Sequence, residues 1–467
     1  MSKKTRPLLN FKQLFYLSLC GFGIQFASSL QMTNTSSLFK FLGAESGEIG
    51  YLWLAAPIAG LIIQPVVGQF SDSTMTRFGK RIPYIFVWVL LSSLALFLLP
   101  FSKILWLAAM VVLILSCSIN GCTEALRALI GDIAPNQQKA TAFAWQTIFS
   151  GVGAGIAALL PWALAHMQLF PSAGESAEKV PMVLQASLLI GGVILLVSML
   201  IMVRHIKEKT FVKSHLLHDL QIRRHRSHAE KIYGAFRELF KNIKSMPKVI
   251  KDFSIVQVFT WTGMFCIWLY FGIGLAQHAF GLPVGIDVSS NPDYQRLLEK
   301  GTIEAGICFG IYQFVSVIYA FVLPKLAELT TPRIVHALSL IVGAISLIAI
   351  IFTKHLVLIY AAMIGVGIMW GSIMTMPYAI ISAELPRSKM GVYLGIFNIT
   401  ITLPQILGGL CMGAITEKIF HGHAIYSIVL GGVLILISGL IMLYQERLVD
   451  VKQALKKKVG VLQPSEA

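Results

Sequence analysis

Apolar runs of about twenty residues, separated by short polar stretches, recur from residue 11 to residue 444. A helix of about twenty residues rises about 30 Å, the thickness of the hydrocarbon core of a bilayer. The pattern predicts twelve membrane spans, at 11–32, 47–70, 83–101, 104–128, 140–166, 182–203, 253–281, 303–323, 334–352, 356–381, 390–416 and 424–444. Lipid offers no water to an unpaired backbone group, so helices, which satisfy their own backbone, are the expected structure. The first run is not followed by a small-residue cleavage site and is expected to remain as a helix. The fold class expected is an all-α membrane protein. Residues 1–203 form a first set of six spans, 204–251 a basic linker, 252–446 a second set of six, and 447–467 a tail.

Composition agrees with this reading: 56% of residues are hydrophobic and 13% charged, whereas soluble domains carry about 25% charged residues. The charges are sorted between the two sides. Thirty of the 38 lysines and arginines lie at the termini or in the loops on their side, and seven lie in the opposite loops. Basic loops stay in the cytoplasm, so both termini are expected there, in a multi-pass cell membrane protein. This bias and contact with anionic lipid account for the net charge of +16, and no nucleic-acid partner is expected. Cys20, Cys117, Cys122, Cys266, Cys308 and Cys411 all fall in predicted spans and make no disulfide framework. The linker holds His215, His218, His225 and His228. No cysteine or acid pattern completes a metal site there, so no metal is expected. A short amphipathic helix on anionic lipid is the reading preferred for that segment.

Polar side chains inside the spans change the picture most. Residues 116–132 read SCSINGCTEALRALIGD. At 100° per residue Ser116, Asn120, Glu124 and Arg127 share one stripe of a membrane-length helix. Charges in a bilayer face a protein interior or a watery cavity and usually carry function. Glu124 and Arg127, three residues apart, are also placed to neutralise each other as a structural pair. Span 1 carries Gln25, Gln31 and Asn34, span 2 carries Gln64 before Pro65, and the second half carries Gln313, Asn398 and Gln405. Amides in a span hydrogen-bond either to neighbouring helices or to a ligand. Trp261, Trp268, Tyr312 and Trp370 are candidates for stacking on a ring of the solute, although aromatic residues in spans also simply pack. Together these residues are the candidate substrate site. The Gly151-x-Gly153-x-Gly155 and Gly391-x-x-x-Gly395 spacings read as close helix packing. No nucleophile–base pair marks an enzyme.

The loop after span 2, GQFSDSTMTRFGKR, places Gly68 and Asp72 ahead of Arg77, Gly79, Lys80 and Arg81. Here the sequence resembles the major facilitator superfamily, whose loop between spans 2 and 3 has the form G-x-x-x-D…R-x-G-[RK]-[RK]. Its longer spacer, with Pro83 after it, resembles plant sucrose–proton symporters and their bacterial relatives, in the glycoside–pentoside–hexuronide neighbourhood. E-A-L-R-A-L-I-G-D at 124–132, the aromatic span 7 at 259–271 and LPRSKMGVYLGIFNITITLPQI at 385–406 add to the likeness. The resemblance implies the major facilitator fold, with twelve transmembrane helices in two six-helix bundles that rock about a central site. It implies symport of a sugar or glycoside, of the sucrose or maltose kind, with a proton as coupling ion, sodium as the alternative, and no other cofactor. A monomer is expected.

One departure bears on coupling. Members of the resembled group carry an Asp in span 4 eleven residues before the Arg, and here that position is Ser116. Glu124, with Arg127, is then the candidate for proton coupling. A faint repeat, Asp132, Pro135 and Lys139 against Glu384, Pro386 and Lys389, fits two halves. The expected cytoplasmic gate comprises Gly68, Asp72, Arg77, Gly79, Arg81, Asp132, Arg333 and Glu384. In it Asp72 caps span 11, Arg77 or Arg81 pairs with Asp132, and Arg333 pairs with Glu384, only when that side is shut. The alternatives are a carrier of organic anions or uronides centred on Arg127, and a sensor that binds solute without moving it.

Overall fold

The structure is a computed structural model that describes residues 8–73, 76–135, 138–171, 180–208, 246–384 and 390–461. Within these, the side chains at 65, 68–69, 72–73, 139–140, 290, 382–384, 390–396 and 448–461 lie outside the description. The helices in chain order are α1 Phe11–Phe41, α2 Ile49–Leu52, α3 Ala55–Ser73, α4 Ile82–Leu98, α5 Leu105–Ile133, α6 Lys139–His166 and α7 Met182–His205. They continue with α8 Lys248–His278, α9 Pro292–Leu329, α10 Pro332–Ala349, α11 Leu356–Glu384, α12 Met390–Ala414 and α13 Ala424–Val461. Ten of the described helices are long and apolar enough to cross a membrane, and Ile49–Gln64 forms a shorter apolar stretch. The histidine-bearing part of the linker lies outside the described residues.

Helix ends follow local chemistry. Asn10 caps α1 with a reciprocal pair, its Oδ1 accepting from Gln13 N–H at 2.8 Å and Gln13 Oε1 accepting from Asn10 N–H at 3.0 Å. Helix α1 runs well past the expected end at 32. The polar residues that suggested a loop are buried and bond one turn back, Thr33 Oγ1 to Ser29 O at 2.9 Å and Asn34 Nδ2 to Leu30 O at 2.9 Å. Helix α9 starts early, at Pro292, where Asn291 Oδ1 accepts from Asp293 N–H at 2.9 Å and proline suits the first turn. The second span is interrupted between α2 and α3, at Trp53–Leu54, and not at Gln64–Pro65. There Trp53 Nε1 donates to Ser36 Oγ at 2.8 Å, and α3 continues through Pro65.

In the first bundle α1 packs on α6 and α7, and α5 on α3 and α4. In the second α8 packs on α12 and α13, and α11 on α9 and α10. The bundles meet where α6 faces α9, where α2 and α3 face α12, and where α1 faces α8 and α9. Following the helices back and forth places Asn10, Thr76–Arg81 and Thr331 on one face, the termini face, and Gly43, Gly285 and Gly422 on the opposite face. The bundles are closed together at the opposite face. A Cβ on Gly413 would collide with the carbonyl oxygen of Gly47, so α12 and the entry to α2 touch backbone to backbone. Ser37 and Thr302 hydroxyls bond at 2.7 Å and Tyr270 donates to Ser46 O at 3.3 Å across the same seam. Lys40, buried at the end of α1, is surrounded electrostatically by Glu417, Glu45, Glu48 and Asp287, two acids from each bundle. The π-helical turn Ile415–Ile419 carries Glu417 to that cluster.

Candidate functional site

The polar stripe of α5 anchors a chain of side chains that crosses the molecule. Gln31 Nε2, on α1, donates to Ser116 Oγ at 2.7 Å. One turn on, Asn120 Nδ2 donates to the Ser116 carbonyl at 2.9 Å, which fixes the amide and points its Oδ1 at α3. That oxygen accepts from Gln64 Nε2 at 2.8 Å, and Gln64 Oε1 accepts from Asn398 Nδ2 of α12 at 3.0 Å. Four residues expected at the substrate site are thus brought together, and Ser116 is their shared support. Asn34 is buried on α1, and its Oδ1 has no partner. Gln25 and Gln405 are half-buried.

The aromatic candidates gather in the second bundle. Trp261 and Trp268 of α8 meet Trp370 of α11 at ring separations of 6.1 and 5.7 Å, and Tyr312 of α9 lies 6.1 Å from Trp370. The edge-on angles, 75–82°, are those that aromatic quadrupoles prefer. The Tyr312 hydroxyl is engaged by the side chains of Trp268 and Gln313. Trp268 and Trp370 stay half-buried, so part of each ring is free for contact.

Glu124 is half-buried and Arg127 exposed, and the two do not form one of the described ion pairs. Arg127 acts electrostatically instead on the Tyr378 hydroxyl of α11, in the other bundle. Tyr378 is 40% exposed. Arg127 of the first bundle and Tyr378 of the second are thus exposed side chains within electrostatic reach of each other.

In the charged loop the expected pairing of Arg81 with Asp132 is present. Arg81 Nε bonds Asp132 Oδ2 at 2.9 Å and its Nη1 bonds Ser71, while Arg77 lies over its neighbour Phe78. Glu208, at the start of the linker, accepts from the backbone N–H of Arg81 at 2.8 Å and of Ile82 at 3.2 Å. That carboxylate caps α4 at the positive end of its dipole. It fits because Gly79, at φ 109°, has no Cβ, and one there would overlap the Glu208 side chain. The Glu384 side chain expected to meet Arg333 lies outside the described residues. Arg333 pairs with Glu446 at 3.4 Å, and Thr331 also donates to Glu446, at 2.7 Å. In each half, then, an acid at the end of the sixth helix clamps the loop between the second and third. Both clamps lie within one bundle and hold it together, so they do not bridge the bundles. The Asp72 and Gly68 side positions are outside the description.

Sequence reasoning passed over several groups. Glu304 is a second acid within the spans, on α9, and accepts from the Tyr360 hydroxyl of α11. A charged letter two residues into an apolar run was the signal. His336, fully buried on α10, bonds Ser372 at 2.9 Å. Lys40 and its four acids were hidden because their partners are far apart in sequence. Among the described residues no group of three or more metal-ligating side chains is found.

Residues 17–409 match the family model described as Major Facilitator Superfamily. The chain belongs to the major facilitator superfamily. It is a membrane transporter of that type, and its two bundles are the two halves of the superfamily fold. Among curated relatives, the sucrose transport protein SUT5 of Oryza sativa subsp. indica is 23% identical, over 92% of this chain and 87% of that protein. The general alpha-glucoside permease of Schizosaccharomyces pombe is 24% identical over 59% of this chain and 51% of the permease. The crystal structure of the nucleoside transporter NupG superposes with a TM-score of 0.65 at 16% identity, covering 93% of this chain and 99% of that one, which bears on the fold.

Proposed function

We propose that this transporter carries a neutral oligosaccharide or glycoside, of the sucrose or maltose kind, by proton-coupled symport. The observation that carries the reading is the amide chain that ends on Asn398 of the opposite bundle. Neutral donors and acceptors match sugar hydroxyls, and a chain shared by both bundles lets one solute bind to each. The half-buried rings of Trp268 and Trp370 supply the flat apolar faces that sugar rings stack on. The sucrose and alpha-glucoside transporters among its relatives support the same class. The lysine and arginine bias supports a cytoplasmic termini face, which would put the seam at Lys40 and Gly413 on the outside. Glu124 is the proton carrier, because Ser116 has no carboxyl to titrate.

Arg127 favours one second reading. Exposed and outside the described ion pairs, it offers a bidentate site for an organic anion or a uronide. Counterflow in proteoliposomes containing the full chain separates the two. Sucrose or maltose is expected to exchange, and glucuronate and succinate not. Exchange of the anions alone would replace the sugar reading with the anion one.

A further inference from the structure

Two polar atoms on one face of α8 are buried without partners: the Gln257 side-chain carbonyl Oε1 and the Trp261 indole Nε1. Gln257 is 1% exposed and Trp261 5% exposed. An unpartnered polar atom in such surroundings is costly, and each one in a native fold calls for an explanation. These two are complementary, since an indole N–H only donates and an amide carbonyl only accepts. They stand one helical turn apart, which places their Cβ atoms about 5–6 Å apart. A single hydroxyl both accepts and donates, so one hydroxyl of a pyranose ring, or two neighbouring ones, can serve both atoms.

Their surroundings point the same way. Phe253, one turn before Gln257, packs on Phe397 of α12 at 6.0 Å. Phe397 adjoins Asn398, the end of the amide chain. Trp261, one turn after Gln257, packs on Trp268 and Trp370 at 6.2 and 6.1 Å. The face of α8 that carries Gln257 therefore lies between the amide chain and the aromatic cluster.

We propose that Gln257 and Trp261 form a hydroxyl-recognition subsite of the second bundle. The indole N–H donates to a hydroxyl of the sugar ring and the Gln257 carbonyl accepts from the same hydroxyl or its neighbour. The ring that bears these hydroxyls lies against Trp268 and Trp370. This inference rests on the sugar reading and adds Gln257, a residue that sets which hydroxyl pattern is accepted.

The test uses the full chain, purified and reconstituted, with sucrose, maltose and their monodeoxy derivatives as probes, and reads affinity by equilibrium binding. Trp261→Phe keeps the ring and removes the N–H, and Gln257→Leu keeps the volume and removes the carbonyl. Each is expected to weaken the bound disaccharide about tenfold or more, with the double variant little worse than either single one. One monodeoxy derivative is expected to bind wild type and both variants alike, because it lacks the hydroxyl they read. If wild type binds a disaccharide and both variants bind it equally well, a buried water fills the gap and the subsite is overturned. The subsite is also overturned if the variants lose affinity for every derivative by the same factor, since that marks a packing defect. If wild type binds neither disaccharide, the sugar reading falls and takes this one with it.

Discussion

The Asn398 side chain donates a 3.0 Å hydrogen bond to Gln64, and the two residues belong to different bundles. Through Asn120 and Ser116 the bond continues to Gln31 on α1. A transporter that rocks one bundle against the other must remake this bond in every cycle, and a polyhydroxyl solute between the bundles is equipped to replace it.

Removing the amide from Asn398 therefore affects binding directly. Asn398→Ala is expected to weaken the transported sugar about tenfold, the effect of one lost hydrogen bond in a dry site. Gln31→Ala acts on the same chain and is expected to cost a similar factor. Equilibrium binding to the purified variants checks both, and wild-type affinity in both would place the solute elsewhere.

The seam at the opposite face depends on one base among four acids. Lys40→Gln leaves Glu45 and Glu48 facing Asp287 and Glu417 with no cation between them, so like charges oppose closure. The fraction of molecules open at that face is expected to rise at least about fivefold, since a partly exposed charge contact is worth about 1 kcal/mol. Reactivity of a cysteine introduced near Ser46 towards a membrane-impermeant reagent reads this fraction. The exchanged pair Lys40→Glu with Glu417→Lys is expected to recover much of the loss, which a purely structural defect would not allow.

The two clamps at the termini face affect stability more than gating. Glu446→Ala removes one acid from the largely buried Arg333 guanidinium and is expected to cost about 3 kcal/mol. Glu208→Ala removes a helix cap and is expected to cost about 1 kcal/mol. Thermal unfolding in detergent checks the order, and counterflow at a temperature where both variants remain folded is expected to stay near wild type. Selective loss of exchange with unchanged unfolding would return these residues to a gating part.

Much of this was legible in the sequence, for physical reasons. Membrane spans declare themselves through length and apolarity, and the amides of α1, α3, α5 and α12 stood out because polar side chains are rare there. Their order in space was not legible. Nothing in the one-dimensional pattern says that Gln64 lies between Asn120 and Asn398, or that Asn34 bonds backwards to Leu30 and so extends α1 to Phe41. The charged loop was legible only in part. Its arginine pairs with Asp132 as expected, but the acid that caps the next helix is Glu208, 127 residues from Arg81. Glu304 differs, since it was visible as a charge and was passed over at the edge of an apolar run.

Glu304 also supplies a control for coupling. Its carboxylate is tied to Tyr360 inside the second bundle, whereas Arg127 belongs to the first. Glu304→Gln keeps an acceptor for the tyrosine and is expected to leave the pH dependence of uptake unchanged. A shifted profile would assign the proton to this pair.

The central claim is that a sugar moves with a proton held on Glu124. The most direct measurement is accumulation of labelled sucrose and maltose in proteoliposomes, with the medium more acidic than the lumen, for wild type and Glu124→Gln in parallel. Wild type is expected to concentrate one of the two sugars, while Glu124→Gln equilibrates it without concentrating it and still performs counterflow. Accumulation by Glu124→Gln with the wild-type pH dependence, or no accumulation of either sugar by wild type, would contradict the claim.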